Sequence, residues 1–287
     1  MAALDAPNCP DFLRKSIERP ETDGPFAAGA ALSLLHGAAR SDDPPSTLWR
    51  RRLAVRAAVA SVRGLEPGEL RDAWCLTPPG ADSGPAGRVF GAWRALSDAS
   101  DRITTSDLAG GFEIPASMAS EALAALGEMA SQDSAPLDVA GTAWIKTLGL
   151  GGGRAFAAWA ADRALAAALG WRAAIPLLAT TPGFRALPER FAPAAFAAVY
   201  ATAAVRSLDL HRDLARRAAR LVEAAAKLRG RDAAALVDAF LAEDAVYPAA
   251  HVAKGSDRGT RRTCDRLVAL GALRELSGRP SSRLYGL

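Results

Sequence analysis

Cysteine, histidine and aromatic residues are scarce in this chain, and each shortage closes a line of function. The three cysteines, Cys9, Cys75 and Cys264, are odd in number and far apart, with no CxxC pair. That argues against a disulfide framework and for a reducing compartment. The three histidines, His36, His211 and His251, have no partner at metal-ligand spacing and none near a cysteine, so no metal site is expected. His36 lies on an apolar stretch and reads as a packed or boundary side chain.

Catalytic motifs are missing as well. No serine sits in a GxSxG elbow. The glycine cluster Gly149, Gly151, Gly152 and Gly153 offers backbone N–H groups that suit a phosphate, but it lacks the last spacing of GxGxxG and a following Lys-Ser/Thr. It also follows a helix-like segment, so a connection between helices is the plainer reading. His211-Arg212-Asp213-Leu214 looks like a kinase catalytic loop, yet Ala218 stands where that loop needs an asparagine. Among the carboxylates nothing singles out a pair, and the neighbours Glu243 and Asp244 read as solvated at a helix end. No cofactor is expected.

Long apolar runs are absent too. The best candidate, 191–205, is fifteen residues with Pro193 inside it, whereas a membrane helix needs about twenty. The first residues carry Asp, Pro and Glu where a signal peptide has an apolar core. The expectation is a soluble cytoplasmic protein that does not meet a membrane.

What the chain does have is alanine. Half of its 287 residues are hydrophobic while only 6% are aromatic, a balance that favours closely packed helices over sheets. Apolar residues at helical spacing predict helices over 26–39, 46–62, 69–75, 88–96, 115–130, 137–148, 154–169, 193–205, 209–228 and 232–242. In the second of these, Leu48, Val55, Val59 and Val62 share a face and Arg50, Arg51, Arg52 and Arg56 lie mostly off it; Arg50, Arg51 and Arg52 read as an exposed face or an interdomain contact. The six tryptophans, scattered among apolar residues, read as core or interface. The predicted fold is mainly α, an Ala-rich body of many helices followed by a small C-terminal unit. Residues 1–25 form an irregular lead-in, 26–230 the body and 231–287 the terminal unit, with the boundary at Gly230-Arg231.

The terminal unit carries the functional signal. A helix over 232–242, the segment Pro248 to Gly255, a turn at Gly255-Ser256-Asp257 and an Arg-dense second helix stopped by Gly271 follow one another. Ser256 or Asp257 can cap that second helix, and Gly271 suits the left-handed residue after it. The segments 272–277 and 282–287 then flank a Gly-Arg-Pro-Ser turn, as hairpin strands do. This is the order of a winged helix-turn-helix, whose second helix enters the DNA major groove when the fold binds DNA.

Cys264, Leu267, Val268 and Gly271 fall on one stripe, with Leu273 beyond, leaving Arg258, Arg261, Arg262, Asp265 and Arg266 for the other side. Residues 251–287 hold eight basic and three acidic side chains, a net +5, against +4 for the whole chain. The remaining 250 residues therefore sum to −1, and a localised excess of this kind is the footprint of nucleic-acid contact. Arg212, Arg216 and Arg220 recur along the helix before the unit; they extend a phosphate-binding surface onto the body or form a solvated face.

The stretches 26–58, 70–96, 209–230 and 256–287 resemble an uncharacterised bacterial family, domain of unknown function 1403, and cover most of the chain. The resemblance implies no activity. The terminal stretch is also similar to the winged helix of many bacterial regulators, with Thr260, Arg262 and the run Leu267 to Leu273 in the matching places, although its wing is short. The leading expectation is a DNA-binding regulator or accessory protein, its body serving dimerisation or partner binding. Arg258, Arg261, Arg262 and Arg266 would contact duplex DNA, with Arg279 and Arg283 of the hairpin beside them. The alternative is a protein-interaction scaffold whose winged helix packs or docks; an enzyme with a site inside the body is a third option.

Overall fold

A computed structural model describes residues 9–41, 43–98, 103–130, 134–190, 192–228, 233–251, 257–279 and 282–287. Twelve α-helices and one two-stranded antiparallel sheet lie among them, so the fold is mainly α with a small C-terminal hairpin. The first helices, α1 (Asp11–Ile17) and α2 (Pro20–Arg40), occupy most of the stretch expected to be an irregular lead-in. The prolines that suggested irregularity start helices instead. Pro10 is the residue before α1 and Pro20 opens α2, positions where a missing N–H costs nothing because no carbonyl precedes it.

Next come α3 (Pro44–Ser61), α4 (Pro67–Cys75) and α5 (Gly84–Ser97). Helix α6 (Thr105–Phe112) lies between the helices expected at 88–96 and 115–130, where no helix is expected. It is short and rests on a capping box, in which Thr104 accepts from the Asp107 N–H and Asp107 accepts from the Thr104 N–H. Helices α7 (Ala116–Met129), α8 (Pro136–Gly149) and α9 (Gly153–Ala168) complete the middle of the body. The glycine cluster joins α8 to α9, with Gly151 and Gly153 at φ +88° and +71°. Two 3-10 turns, Leu178–Thr180 and Pro182–Ala186, then lead to α10 (Pro193–Ala225). The two segments expected at 193–205 and 209–228 are this one helix of 33 residues, because Arg206-Ser207-Leu208 contains no helix breaker.

Helix α10 is the spine. It packs on α1, α2, α3, α8 and the later α11 (Ala233–Ala242) and α12 (Asp257–Ala269). Small side chains make its approach to α2 close. Ala27, Ala28 and Ala31 of α2 and Ala197, Ala201 and Ala204 of α10 are all buried, and a methyl at Gly24 would already touch the Ala198 backbone at 3.5 Å. Alanine loses no rotamer freedom when buried, so a close helix pair of this kind costs little side-chain entropy.

Tryptophans fill the wider gaps. Trp49, Trp93, Trp144 and Trp159 are fully buried, and their indole N–H groups donate to Ser207 O, Ser61 Oγ, Pro188 O and Ala92 O at 2.9–3.2 Å. Trp171 donates to His36 Nδ1 at 3.1 Å, which places His36 at the boundary. His211, of the kinase-like tetrapeptide, is buried inside α10 beside Ser46 Oγ at 3.2 Å and edge-on to Trp49.

A buried carboxylate fastens the centre of the body. Asp162 of α9 is 1% exposed and accepts from the Leu177 and Leu178 N–H groups and from the Tyr200 hydroxyl of α10. It thus caps the first 3-10 turn and links that turn to two helices. Burial pushes its carboxyl up to about 8, the three donors pulling the other way.

Asp162→Ala strands the two backbone donors and leaves a cavity, and is expected to cost about 2–4 kcal/mol, whereas Asp162→Asn keeps an acceptor and costs less. The folded chain holds the Asp162 proton more tightly than the unfolded one, so this group's contribution is greatest below about pH 4 and is lost as pH rises to about 8. Urea melts between pH 5 and 9 should show wild-type stability falling relative to Asp162→Asn.

Candidate functional site

Helix α11 ends at Ala242, and Glu243 and Asp244 follow it directly. The chain then runs through Val246, which bridges Tyr285, into a 3-10 turn at Pro248–His251 and on to α12. Strands β1 (Arg274–Glu275) and β2 (Tyr285–Gly286) close the unit, paired Arg274↔Gly286 and Glu275↔Tyr285. Val246, β2 and β1 therefore lie side by side. Space is tight where β2 passes the end of α11, since a methyl at Gly286 would come 2.5 Å from the Asp244 carbonyl oxygen. The expected turn at Gly255-Ser256, the boundary at Gly230-Arg231 and the Pro280-Ser281 part of the hairpin turn lie outside the described residues.

The two acids expected to be solvated are instead tied to the body. Asp244 is 3% exposed; its Oδ1 takes Arg52 Nε and its Oδ2 takes Arg71 Nε at 2.7 Å. Arg94 grips Glu243 with both terminal nitrogens while lying over the Trp74 ring. Arg52 also donates to the Leu287 oxygen at 3.0 Å, and Arg279 reaches Asp72 at 2.8 Å. Sequence gave no signal for these pairs, because their partners lie on α3, α4 and α5, more than a hundred residues away. Of the other arginines expected at an exposed face or an interdomain contact, Arg50 and Arg51 are buried at 5% and 8%.

Helix α12 buries Thr260, Cys264 and Leu267 toward α10 and the 248–251 turn, with Ala272 and Leu273 continuing the buried surface. Gly271 takes φ +67° and ends the helix as expected. Val268, expected in the buried stripe, is 36% exposed. At 100° per residue it stands about 70° from the centre of the line through Thr260, Cys264 and Leu267, at the edge of the contact.

Arg262 and Arg266 point to solvent with no carboxylate partner among the described residues. Arg261 is half-buried on the flank and has a partner of its own. Arg258 lies in the first turn of α12, and its side chain is outside the described residues. Arg283 faces Asp265 at 3.5 Å and Glu275 at 3.8 Å, and Arg279 is held by Asp72. The six arginines therefore separate into two presented outward, two engaged within the hairpin and body, one on the flank and one not described.

Reactive thiols do not contribute here. Burial pushes Cys264 up to about 12, and burial with nearby Asp244 and Glu243 does the same to Cys75, whose Sγ lies 3.4 Å from Ala245 O. A cavity of about 480 Å³ in the body has Arg63, Glu69 and Glu113 in its lining, with Ser61 committed to Trp93 and to the Ala57 carbonyl. Among the described residues no cluster of His, Cys, Asp and Glu could hold a metal, and no helix is long and apolar enough to cross a membrane.

The molecule is thus a mainly helical protein that ends in a helical unit with a small hairpin, bolted to its body by buried ion pairs. Residues 3–287 match the model of DUF1403, a family described as protein of unknown function, and the chain belongs to that family. No curated protein matches it.

Removing Asp244 leaves two largely buried guanidiniums without a counter-charge, so Asp244→Asn is expected to cost about 3–5 kcal/mol. Asp265→Asn, whose partner Arg283 is solvent-exposed, should cost under about 1 kcal/mol. Equal losses in urea melts of the two variants would contradict this ordering.

Proposed function

We propose that the chain is a DNA-binding regulator or accessory protein whose residues 233–287 act as a winged helix-turn-helix, with α12 as the helix that meets the duplex. The observation that carries this reading is the division of α12 into two faces. Thr260, Cys264 and Leu267 are buried toward α10 and the 248–251 turn, while Arg262 and Arg266 stand in water one turn apart with no carboxylate to answer them among the described residues. Guanidiniums at that spacing repel one another, and a row of phosphates relieves the repulsion. The element order supports the same reading, since the Val246 bridge, the short helical turn, α12 and the hairpin follow α11 in the sequence that a winged helix has.

Arg262 and Arg266 are the first contacts in this account. Arg258 begins the same helix, Arg261 flanks the contact, and Arg279 and Arg283 serve the unit's internal structure before they serve DNA. A second reading, a scaffold that docks another protein, is favoured by a different observation. Phe12 and Phe26 are 53% and 63% exposed and lie 6.1 Å apart on α1 and α2. An exposed aromatic pair suits a protein surface rather than a nucleic acid backbone.

The full chain is the right object to test, because excising the tail would expose Asp244. Fluorescence anisotropy with a duplex should show affinity falling steeply with salt. Replacing both Arg262 and Arg266 by alanine should weaken binding at least about tenfold and lower the log–log salt slope by about 2. Duplex binding that is absent, or indifferent to both substitutions, would turn the reading toward the scaffold.

A further inference from the structure

A second basic feature lies away from the exposed face of α12. The last third of α10 and the segment that follows α12 enclose a cleft of about 330 Å³. Arg216, Arg217 and Arg220 line it from α10 and Arg274 from β1, above a floor of Ala272 and Leu273. Asp213 is the one acidic side chain in the lining, and it is shared by Arg217 Nε at 2.8 Å and Arg216 Nη2 at 3.3 Å. Arg220 and Arg274 are exposed and have no carboxylate partner among the described residues.

The other polar groups of the cleft are committed. The N–H groups of Gly271, Ala272 and Leu273 bond back to Val268 O and Leu267 O. The Leu287 oxygen accepts from Arg52. The free hydrogen-bonding capacity is therefore that of guanidiniums, arranged on two walls that come from separate elements. Four such groups around one aspartate repel one another, and repulsion of this kind is relieved by a multiply charged oxyanion that accepts bidentate bonds from both sides. A volume near 330 Å³ is at the small end of ligand pockets.

We infer that this cleft, between Arg216, Arg217 and Arg220 of α10 and Arg274 of β1, is a phosphate-binding site. The inference does not rest on the DNA reading, because none of its residues lies on α12. The phosphate can come from a free phosphorylated compound or from the backbone of a nucleic acid, and the two sources are separable.

Inorganic pyrophosphate titrated into the full chain by calorimetry at low salt is the probe. Arg220→Ala with Arg274→Ala should weaken binding roughly tenfold or more, and the Arg→Lys pair should recover only part of that loss, because lysine cannot form the bidentate bonds. Arg262→Ala with Arg266→Ala should leave pyrophosphate binding as it is. The melting temperatures of all three double variants, compared with wild type, guard against a trivial loss of fold. If the Arg220/Arg274 pair also lowers the salt slope for duplex DNA by about 2, the phosphates are those of the backbone; if pyrophosphate binding alone is lost, they belong to a free compound. Pyrophosphate that does not bind, or binds equally well to the Arg220/Arg274 alanine variant, overturns the site while leaving the α12 reading to its own test.

Discussion

The carboxylate of Asp244, held between Arg52 and Arg71, is the constraint on which the placement of the C-terminal unit depends. Both of its oxygens are used, its side chain is nearly inaccessible, and its two partners come from α3 and α4. A buried ion pair of this sort brings little net stability over a well-packed apolar cluster, since desolvation offsets most of the attraction. Its contribution is directional. An apolar contact tolerates sliding, whereas two guanidiniums clamped on two oxygens accept one arrangement. Arg94 on Glu243, one residue earlier, and Arg52 on the Leu287 oxygen hold the same unit where α11 ends and beside β2. The surface that α12 presents is therefore fixed relative to the body.

The helical body was legible in the sequence wherever a helix is long and amphipathic or bounded by strong breakers. The stretches predicted at 46–62, 137–148 and 154–169 match α3, α8 and α9 to within a few residues. Where reading failed, a local signal was taken at face value. Pro10 and Pro20 punctuate the stretch expected to be an irregular lead-in, although one precedes α1 and the other opens α2, and the run of Ser, Asp and Thr before Leu108 falls between the expected helices although Thr104 and Asp107 form a cap. The burial of Asp162 and Asp244 had no local signal at all. A charged residue at a helix end, like Asp244, or within a helix, like Asp162, is solvated in most sequences, and only the three-dimensional arrival of Arg52 and Arg71, or of the Leu177 and Leu178 N–H groups, changes that.

Charge counting locates the basic excess along the chain but cannot distribute its arginines among environments. A net +5 over the last 37 residues treats all guanidiniums alike. The structure separates them by their nearest carboxylate. Arg279 and Arg283 answer Asp72, Asp265 and Glu275 and so hold the hairpin in place, while Arg262, Arg266 and Arg274 have no carboxylate to answer among the described residues. The aspartate that softens the charge on α10, Asp213, serves Arg216 and Arg217 and leaves Arg220 over. Each unanswered guanidinium raises the local potential on its own surface, which a count along the sequence cannot resolve.

The outward face of α12 and the arginine cleft share one hinge of structure, the left-handed Gly271 that ends the helix and lines the cleft. An oxyanion held between Arg220 on α10 and Arg274 on β1 would bind the spine of the body to the first strand of the hairpin, on either side of that glycine. It would do so through charge-assisted bonds that are absent when the cleft is empty. Leu267, Ala272 and Leu273 are buried and cannot move independently, so such an anion would reinforce the placement of α12 that the Asp244 clamp already sets.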